Sequence, residues 1–179
     1  MSLYFIALNL PKELQEQIHK IKQEVSEKYE AKHALKLPAH ITLQIPFKFP
    51  KNEEGNLIEI LKALAENQKY FRVDLNGFGR FNQKVIFINI EDHKLIKELH
   101  ANLHSVLLEN FKLTKHENFP KIHPHITIAS RDLHYKQFPV AWANFHDRNF
   151  EASFTVNSFS LLKHDGKQWH CHYDFYFKE

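Results

Sequence analysis

The sequence contains little cysteine, glycine or proline, the residues on which disulfide-rich, collagen-like and low-complexity chains depend. Among its 179 residues are one cysteine (Cys171), four glycines and seven prolines. A single cysteine excludes an internal disulfide and a zinc site built from several cysteines. So few glycines and prolines exclude collagen-like and low-complexity chains. The first apolar run, Leu3–Leu8, is far too short to cross a bilayer or to act as a signal segment. These absences predict a soluble, cytoplasmic, globular protein.

The distribution of basic residues along the chain indicates what kind of ligand the protein binds. Apolar residues make up 43% of the chain, which is enough for a core at this length. The net charge is only +3, but basic residues concentrate in two acid-poor stretches, residues 31–52 and 111–131. The first holds four lysines and no acidic residue, and the second holds four basic residues and one glutamate. Two such stretches indicate an anionic ligand.

Hydrophobic periodicity predicts a mixture of strands and helices. The predicted strands are Leu3–Leu10, Ala39–Phe47, Phe71–Leu75, Val85–Ile90, Lys121–Ala129, Phe154–Leu162 and Trp169–Phe177. The predicted helices are 12–29, 57–64, 93–109 and 133–143. Turns are predicted at Asn76–Gly79 and at Asp165–Gly166, the latter between the last two strands.

The order strand, helix, strand occurs twice at nearly constant spacing. It occurs first at 3–9, 12–29 and 39–47, and again at 85–90, 93–109 and 121–129. Such agreement indicates two related halves. The sequence therefore predicts a single two-lobed domain, residues 1–179, with a cleft between the lobes.

One motif occurs twice, in the last strand of each half. Residues 40–43 read His-Ile-Thr-Leu after Pro38, and residues 125–128 read His-Ile-Thr-Ile after Pro124. The composition predicts only about 0.02 His-Ile-Thr triplets in this chain. The duplication is therefore a strong signal.

The spacing within each motif predicts which side chains line the cleft. On a strand, side chains at i and i+2 point to the same face. His40 and Thr42 are expected to share one face, with the apolar residues of the motif on the other. The same holds for His125 and Thr127. Two strands from two lobes would bring two imidazoles and two hydroxyls to one cleft.

Two imidazoles in one cleft suit displacement at phosphorus. Imidazole titrates near neutral pH, so one histidine can take a proton from the attacking oxygen while the other gives one to the leaving oxygen. The threonine hydroxyls can donate hydrogen bonds to the non-bridging phosphate oxygens. The acid-poor flanks offer few carboxylates for Mg²⁺. This chemistry requires neither a metal nor another cofactor.

The paired motifs resemble the hallmark of the two-histidine (2H) phosphoesterase superfamily, two His-x-Thr/Ser-x (HxTx) motifs in two pseudo-symmetric lobes. The superfamily includes bacterial RNA 2′,3′-cyclic phosphodiesterases, also called 2′-5′ RNA ligases. The resemblance implies an α+β fold, with two pseudo-symmetric lobes of antiparallel sheet and outer helices around a central cleft. It also implies that His40 and His125 are catalytic and that Thr42 and Thr127 bind the scissile phosphate.

The resemblance implies metal-independent hydrolysis of a 2′,3′-cyclic phosphate, on RNA ends or nucleotides, to a 2′-phosphate. Some members join RNA ends through a 2′-5′ bond by the same chemistry. The motifs do not choose between these substrates and 2′,5′-linked oligonucleotides or other small-nucleotide phosphodiesters, and they do not say which histidine is the base. Two hypotheses of other classes are a non-catalytic module that binds RNA ends and a histidine-rich metal-binding protein.

Residues near the motifs are weaker candidates. If the second motif strand continues, Arg131 shares the face of His125 and Thr127, where its guanidinium could pair with a phosphate. Gln44 shares the His40 face by the same argument. Candidates for a basic rim are Lys36, Lys48, Lys115 and Lys121. Candidates for stacking on a base are Phe47, Phe78, Phe119 and Tyr135.

Three histidine pairs have spacings found in metal sites: His123 with His125, His170 with His172, and His100 with His104. None is accompanied by further ligands at a recognisable spacing, so no metal site is predicted. The chain also contains no Walker-type phosphate loop, which argues against an ATP-driven ligase. We expect a monomer that needs no metal and no other cofactor.

Overall fold

The structure is a computed structural model that describes residues 1–178. These residues form eight strands and four α-helices. The strands are β1 (Ser2–Asn9), β2 (His40–Phe49), β3 (Phe71–Phe81), β4 (Val85–Ile90), β5 (Ile126–Ala129), β6 (Glu151–Val156), β7 (Ser158–His164) and β8 (Trp169–Tyr176). The helices are α1 (Lys12–Tyr29), α2 (Glu54–Glu66), α3 (Lys94–Asn110) and α4 (Phe138–Phe145).

The strands form two antiparallel sheets of four strands each. Their strand orders are β2-β1-β7-β8 and β5-β4-β3-β6. In each half of the chain, two neighbouring antiparallel strands are joined by a helix, β1 to β2 by α1 and β4 to β5 by α3. The motif strands β2 and β5 are both edge strands, and they contact each other. The predicted α+β fold with two pseudo-symmetric antiparallel lobes is confirmed.

Each joining helix packs near the motif strand of the other half. α1 contacts β5, and α3 contacts β2. The inner side of α1 is apolar at helical spacing, with Ile18 and Val25 fully buried. α1 follows Pro11, which suits a helix start, and ends at Glu30 in the left-handed conformation. None of the helices formed by residues 1–178 has the length and apolar character of a membrane-spanning segment.

A bulge in β2 overturns one expectation about its faces. Thr42 and Gln44 pair with the adjacent residues Ala7 and Ile6 of β1, so β2 carries one extra residue between them. Such a bulge reverses the alternation of side chains along the strand. Gln44 is therefore fully buried rather than on the face of His40.

Two other predicted strand ends are wrong. β2 ends at Phe49 rather than at Phe47, and it contains Pro46 because an edge strand tolerates a residue that cannot donate a hydrogen bond. β3 continues through the predicted turn at Asn76–Gly79, since Gly77 (φ 64°) lies at a bulge opposite β4 rather than in a turn. The chain reverses instead at residues 82–84, where Asn82 has φ 50°.

The second motif strand is shorter than predicted. β5 begins only at Ile126, because Pro124 has no N–H to donate to a strand ladder. The predicted strand Phe154–Leu162 is two strands, β6 in the second sheet and β7 in the first, separated by Asn157. The turn predicted at Asp165–Gly166 is confirmed, with Gly166 at φ 103°.

Candidate active site

The two His-Ile-Thr motifs lie on the edge strands that contact each other. His40 is the first residue of β2, and His125 immediately precedes β5. In both motifs the second and fourth residues are fully buried, whereas the histidine and the threonine are half-buried. The predicted alternation of Thr42 and Thr127 with apolar neighbours is therefore confirmed. The two histidines are close enough for the charge of His125 to act on His40.

Backbone carbonyls hold both imidazoles in the same tautomer. His40 Nδ1 lies 2.8 Å from the carbonyl oxygen of Pro38, and His125 Nδ1 lies 2.6 Å from that of His123. A carbonyl oxygen only accepts hydrogen bonds, so Nδ1 of each ring carries a hydrogen. Nε2 of each neutral ring therefore keeps its lone pair. Each Nε2 can accept a proton, and it can return that proton once the ring is charged.

Both histidines favour the neutral form. Burial lowers the pKa of His40 to about 4, and the charges of Lys22 and His125 act in the same direction. Burial also lowers the pKa of His125 below its ordinary value, with the charges of His123 and His93 adding to the effect. Two bases with depressed pKa values on contacting strands are typical of a catalytic site.

Aromatic rings enclose both imidazoles. The His125 ring meets Phe81 edge-on at a centroid distance of 4.8 Å and Phe87 at 5.1 Å. The His40 ring lies 5.4 Å from Phe5, which itself meets Trp169 edge-on at 4.7 Å. These apolar walls explain the lowered pKa values and restrict the orientation of each ring.

Gly79 in β3 has no side chain, and the Phe87 ring beside His125 occupies the space that a side chain would need. A Cβ at position 79 would lie 2.5 Å from the Phe87 ring and 2.6 Å from Asn89 Oδ1. We therefore expect Gly79→Ala to displace Phe87 from His125 and to lower the free energy of unfolding by about 1–3 kcal/mol. Denaturant unfolding measures the loss of stability, and the NMR shifts of the His125 ring report the displacement.

The matched control is Gly55→Ala in α2, where a Cβ would meet no atom within 4 Å. Alanine is a better helix former than glycine, so this variant should gain up to about 1 kcal/mol. Equal stability of the two alanine variants would contradict the proposed role of Gly79.

An open cavity of about 910 Å³ lies beside His40, between α1 and the first sheet. Its apolar side includes Leu37, Leu162 and Trp169, and its polar side comes largely from α1, including Lys22. This size and this mixture of apolar walls with a few polar groups are typical of small-molecule sites.

The strand argument for Arg131 is wrong. β5 ends at Ala129, and Arg131 has φ 47°, so the two-residue alternation does not reach it. Arg131 is exposed, its charge adds to the burial that lowers the pKa of His33, and it lines a separate cavity with Tyr135. That Arg131 contacts a phosphate stays a prediction, and the alternation of side chains along β5 does not support it.

The side chain of Gln44 hydrogen-bonds to a loop and does not face a ligand site. Its Nε2 donates to the carbonyl oxygen of Glu117 at 2.8 Å. The Glu117 carboxylate in turn accepts from the backbone N–H groups of Lys48 (2.7 Å) and Thr114 (2.8 Å). These bonds hold the loop that precedes β5 against the edge of β2.

The other predicted binding residues are divided between surface and core. The four rim candidates are exposed: Lys36, Lys48, Lys115 and Lys121. Phe47 and Phe78 are buried in the core and cannot stack on a base. Phe119 is half-buried, and Tyr135 is exposed. The aromatic residue that lines the cavity beside His40 is Trp169, which the sequence did not single out.

Lys22 is a buried residue that the sequence pattern did not single out. It is only 3% exposed although it is charged. The available signal was its position in α1, four residues after Ile18 and three before Val25, inside the apolar stripe.

Within residues 1–178, no three His, Cys, Asp or Glu side chains are arranged to hold a metal ion. The rings of His100 and His104 are stacked at 5.8 Å, but His100 Nδ1 donates to the carbonyl oxygen of Leu43. His170 and His172 bond to different carboxylates.

Three comparisons with known proteins show what the chain is similar to. The family model of the 2′-5′ RNA ligase superfamily matches residues 10–168. OB1230 of Oceanobacillus iheyensis, which carries the name "Putative phosphoesterase", is 25% identical over 169 residues, or 93% of this chain and 92% of that protein.

Two solved structures share the fold. TT0787 of Thermus thermophilus has a TM-score of 0.72 at 22% identity, covering 98% of this chain and 97% of that one. LigT of E. coli complexed with 3′-AMP has a TM-score of 0.70 at 19% identity, covering 99% of each chain. The family model spans most of the chain, and the structures agree with it on the fold. The chain therefore belongs to the 2′-5′ RNA ligase superfamily of two-histidine phosphoesterases.

Proposed function

We propose that the chain is a metal-independent phosphodiesterase that hydrolyses the 2′,3′-cyclic phosphate of RNA ends or nucleotides to a 2′-phosphate. The observation that carries the proposal is the pair of imidazoles on contacting edge strands, each held as the Nδ1–H tautomer by a carbonyl two residues earlier. Ring opening of a cyclic phosphate needs one proton acceptor and one proton donor, and the pair supplies both.

The proposed mechanism assigns His40 as the base and His125 as the acid. His40 has the pKa of about 4 and is neutral at pH 7, so its Nε2 accepts a proton from the attacking water. The water oxygen forms a bond to phosphorus, and the bond from phosphorus to the 3′ oxygen breaks. His125, in its protonated form, gives its Nε2 proton to that 3′ oxygen. The products are a 2′-phosphate and a 3′-hydroxyl.

Thr42 and Thr127 are proposed to donate hydrogen bonds to the non-bridging oxygens of the phosphate. Both hydroxyls are on the same side of their strands as the histidines, by the two-residue spacing within each motif. Preorganised donors stabilise the charge that develops on these oxygens during attack. The nucleotide class of the substrate is supported by LigT, which has been solved with 3′-AMP and with ATP.

The pH profile tests whether the two histidines are the groups that transfer protons. The base must be unprotonated, so kcat/KM should rise with pH through the His40 pKa of about 4. The acid must be protonated, and the pKa of His125 lies below its ordinary value of 6.5, so kcat/KM should fall above that lowered pKa. We expect a bell-shaped profile with its maximum on the acidic side of neutrality. A maximum above neutral pH would contradict proton transfer by these two histidines.

The decisive assay for the function incubates the purified protein with an oligoribonucleotide that ends in a 2′,3′-cyclic phosphate, in the presence of EDTA. The product is identified by mass spectrometry and by comparison with 2′- and 3′-phosphate standards. Formation of the 2′-phosphate is the expected result. Binding without turnover would favour the non-catalytic RNA-end module instead, and loss of activity caused by EDTA would favour a metal-dependent enzyme.

A further inference from the structure

Lys22 is a buried cation that the mechanism does not use. It lies on the inner side of α1 and is 3% exposed. Its Nζ donates one hydrogen bond, to the carbonyl oxygen of Leu37 at 3.0 Å. An ammonium group has three hydrogens to donate, so this single bond leaves most of its donor capacity unused.

No carboxylate among residues 1–178 pairs with Lys22, and burial alone accounts for the lowering of its pKa to about 8. Burying a charge without a partner is unfavourable. Lys22 still carries its charge at pH 7, because that pH is below its pKa. An unpaired, charged and buried group is best explained by an anion that joins it in the working protein.

The place for that anion is the cavity beside His40, which Lys22 also lines. α1 contributes two further lysines to the lining, Lys12 and Lys20, against one carboxylate, Glu16. The opposite wall is apolar and contains Trp169. A cavity with an excess of cations on one side and an aromatic ring on the other suits a nucleotide phosphate with its attached nucleoside.

The lining of the cavity includes Lys22 and His40 but not Thr42, His125 or Thr127. Lys22 Nζ bonds to the carbonyl of Leu37, and His40 Nδ1 bonds to the carbonyl of the next residue, Pro38. Both donors bond to the short backbone segment that precedes β2. Because the cavity lining lacks Thr42, His125 and Thr127, an anion at Lys22 is taken as a different group from the phosphate that those residues bind.

We propose that Lys22 and the cavity beside His40 form a second phosphate subsite, which binds the phosphodiester on the 5′ side of the nucleotide whose phosphate reacts. This inference rests on the proposed function, since it takes the phosphate at His40 as the reacting one. The ligand class is thus an oligonucleotide, or a nucleotide with two phosphates, in preference to a nucleoside monophosphate.

The test measures binding and does not require turnover. Calorimetry compares adenosine 2′,5′-bisphosphate with adenosine 2′-monophosphate, on the wild type and on Lys22→Met, which removes the charge at similar size. A charge-assisted hydrogen bond supports a preference of about tenfold for the bisphosphate in the wild type. Lys22→Met should lose most of that preference and keep its affinity for the monophosphate, and Lys22→Arg should retain part of the preference.

Lys62→Met is the matched control, because Lys62 is an exposed lysine of α2 that does not line the cavity. It should change the preference far less than Lys22→Met. Thermal unfolding checks the fold, and Lys22→Met should unfold at a temperature no lower than the wild type, since an unpaired buried charge has been removed.

Three outcomes would overturn the inference: no preference in the wild type, the same preference in Lys22→Met, or an equal loss of affinity for both ligands. The last would place Lys22 at the reacting phosphate. Failure of the proposed function is a separate result, because the bisphosphate preference can be measured in a protein that shows no turnover.

Discussion

Replacing His40 or His125 with alanine should lower kcat for a 2′,3′-cyclic-phosphate oligoribonucleotide by about 10²–10⁴-fold, because each variant loses one of the two proton transfers. The loss should affect kcat more than KM, since proton transfer belongs to the transition state rather than to substrate binding. Initial rates measured in EDTA with each purified variant check this expectation.

The control for this experiment is His146→Ala. His146 is a surface histidine at the end of α4 that pairs with Asp147 at 2.8 Å, and its removal should leave kcat close to that of the wild type. A near-native rate for His40→Ala, with circular dichroism showing an intact fold, would refute the two-histidine mechanism.

Valine in place of Thr42 or Thr127 is expected to lower kcat by about 10²–10³-fold, the usual effect of removing one donor that stabilises developing negative charge. Valine keeps the branched shape of threonine and removes only the hydroxyl, so packing on the edge strands is maintained. Serine at either position keeps the hydroxyl and should restore much of the activity. Steady-state kinetics on the valine and serine variants distinguish the contribution of the hydroxyl from that of the side-chain shape.

Thr155→Val is the matched control for the threonine series. Thr155 is an exposed residue of β6, the strand at the opposite edge of the sheet that contains β5. If Thr155→Val and Thr127→Val had the same kcat, the hydroxyl of Thr127 would not contact the phosphate.

The sequence predicted the elements that carry the motifs because their signals are local. Apolar residues at helical spacing identified α1 and α3, and the repeated strand, helix, strand order identified the two halves. The alternation within each motif correctly placed Ile41 and Ile126 in the core and left Thr42 and Thr127 accessible. The roles of these residues in catalysis stay predictions.

The predictions from sequence fail where the register between strands that are distant in sequence decides which side chains are buried and where a strand ends. Local residue patterns do not contain that register. The bulge between Thr42 and Gln44 depends on the register with β1, so the burial of Gln44 could not be derived from the alternation alone. The continuation of β3 through Gly77 likewise depends on its pairing with β4. Lys22 was missed for a related reason, since a lysine in an apolar stripe ordinarily extends its charged end to solvent.

The two sheets are assembled from different parts of the chain. The second sheet comes from the continuous segment 71–156, whereas the first joins the beginning of the chain to its end, with Leu3 opposite His164. Pairing between residues so far apart in sequence is slow, because a long loop must close before any contact compensates for it. During synthesis the strands around His125 can assemble while β1 and β2, with His40, still lack β7 and β8. A nascent chain therefore carries both motifs before β7 and β8 can complete the sheet that holds His40.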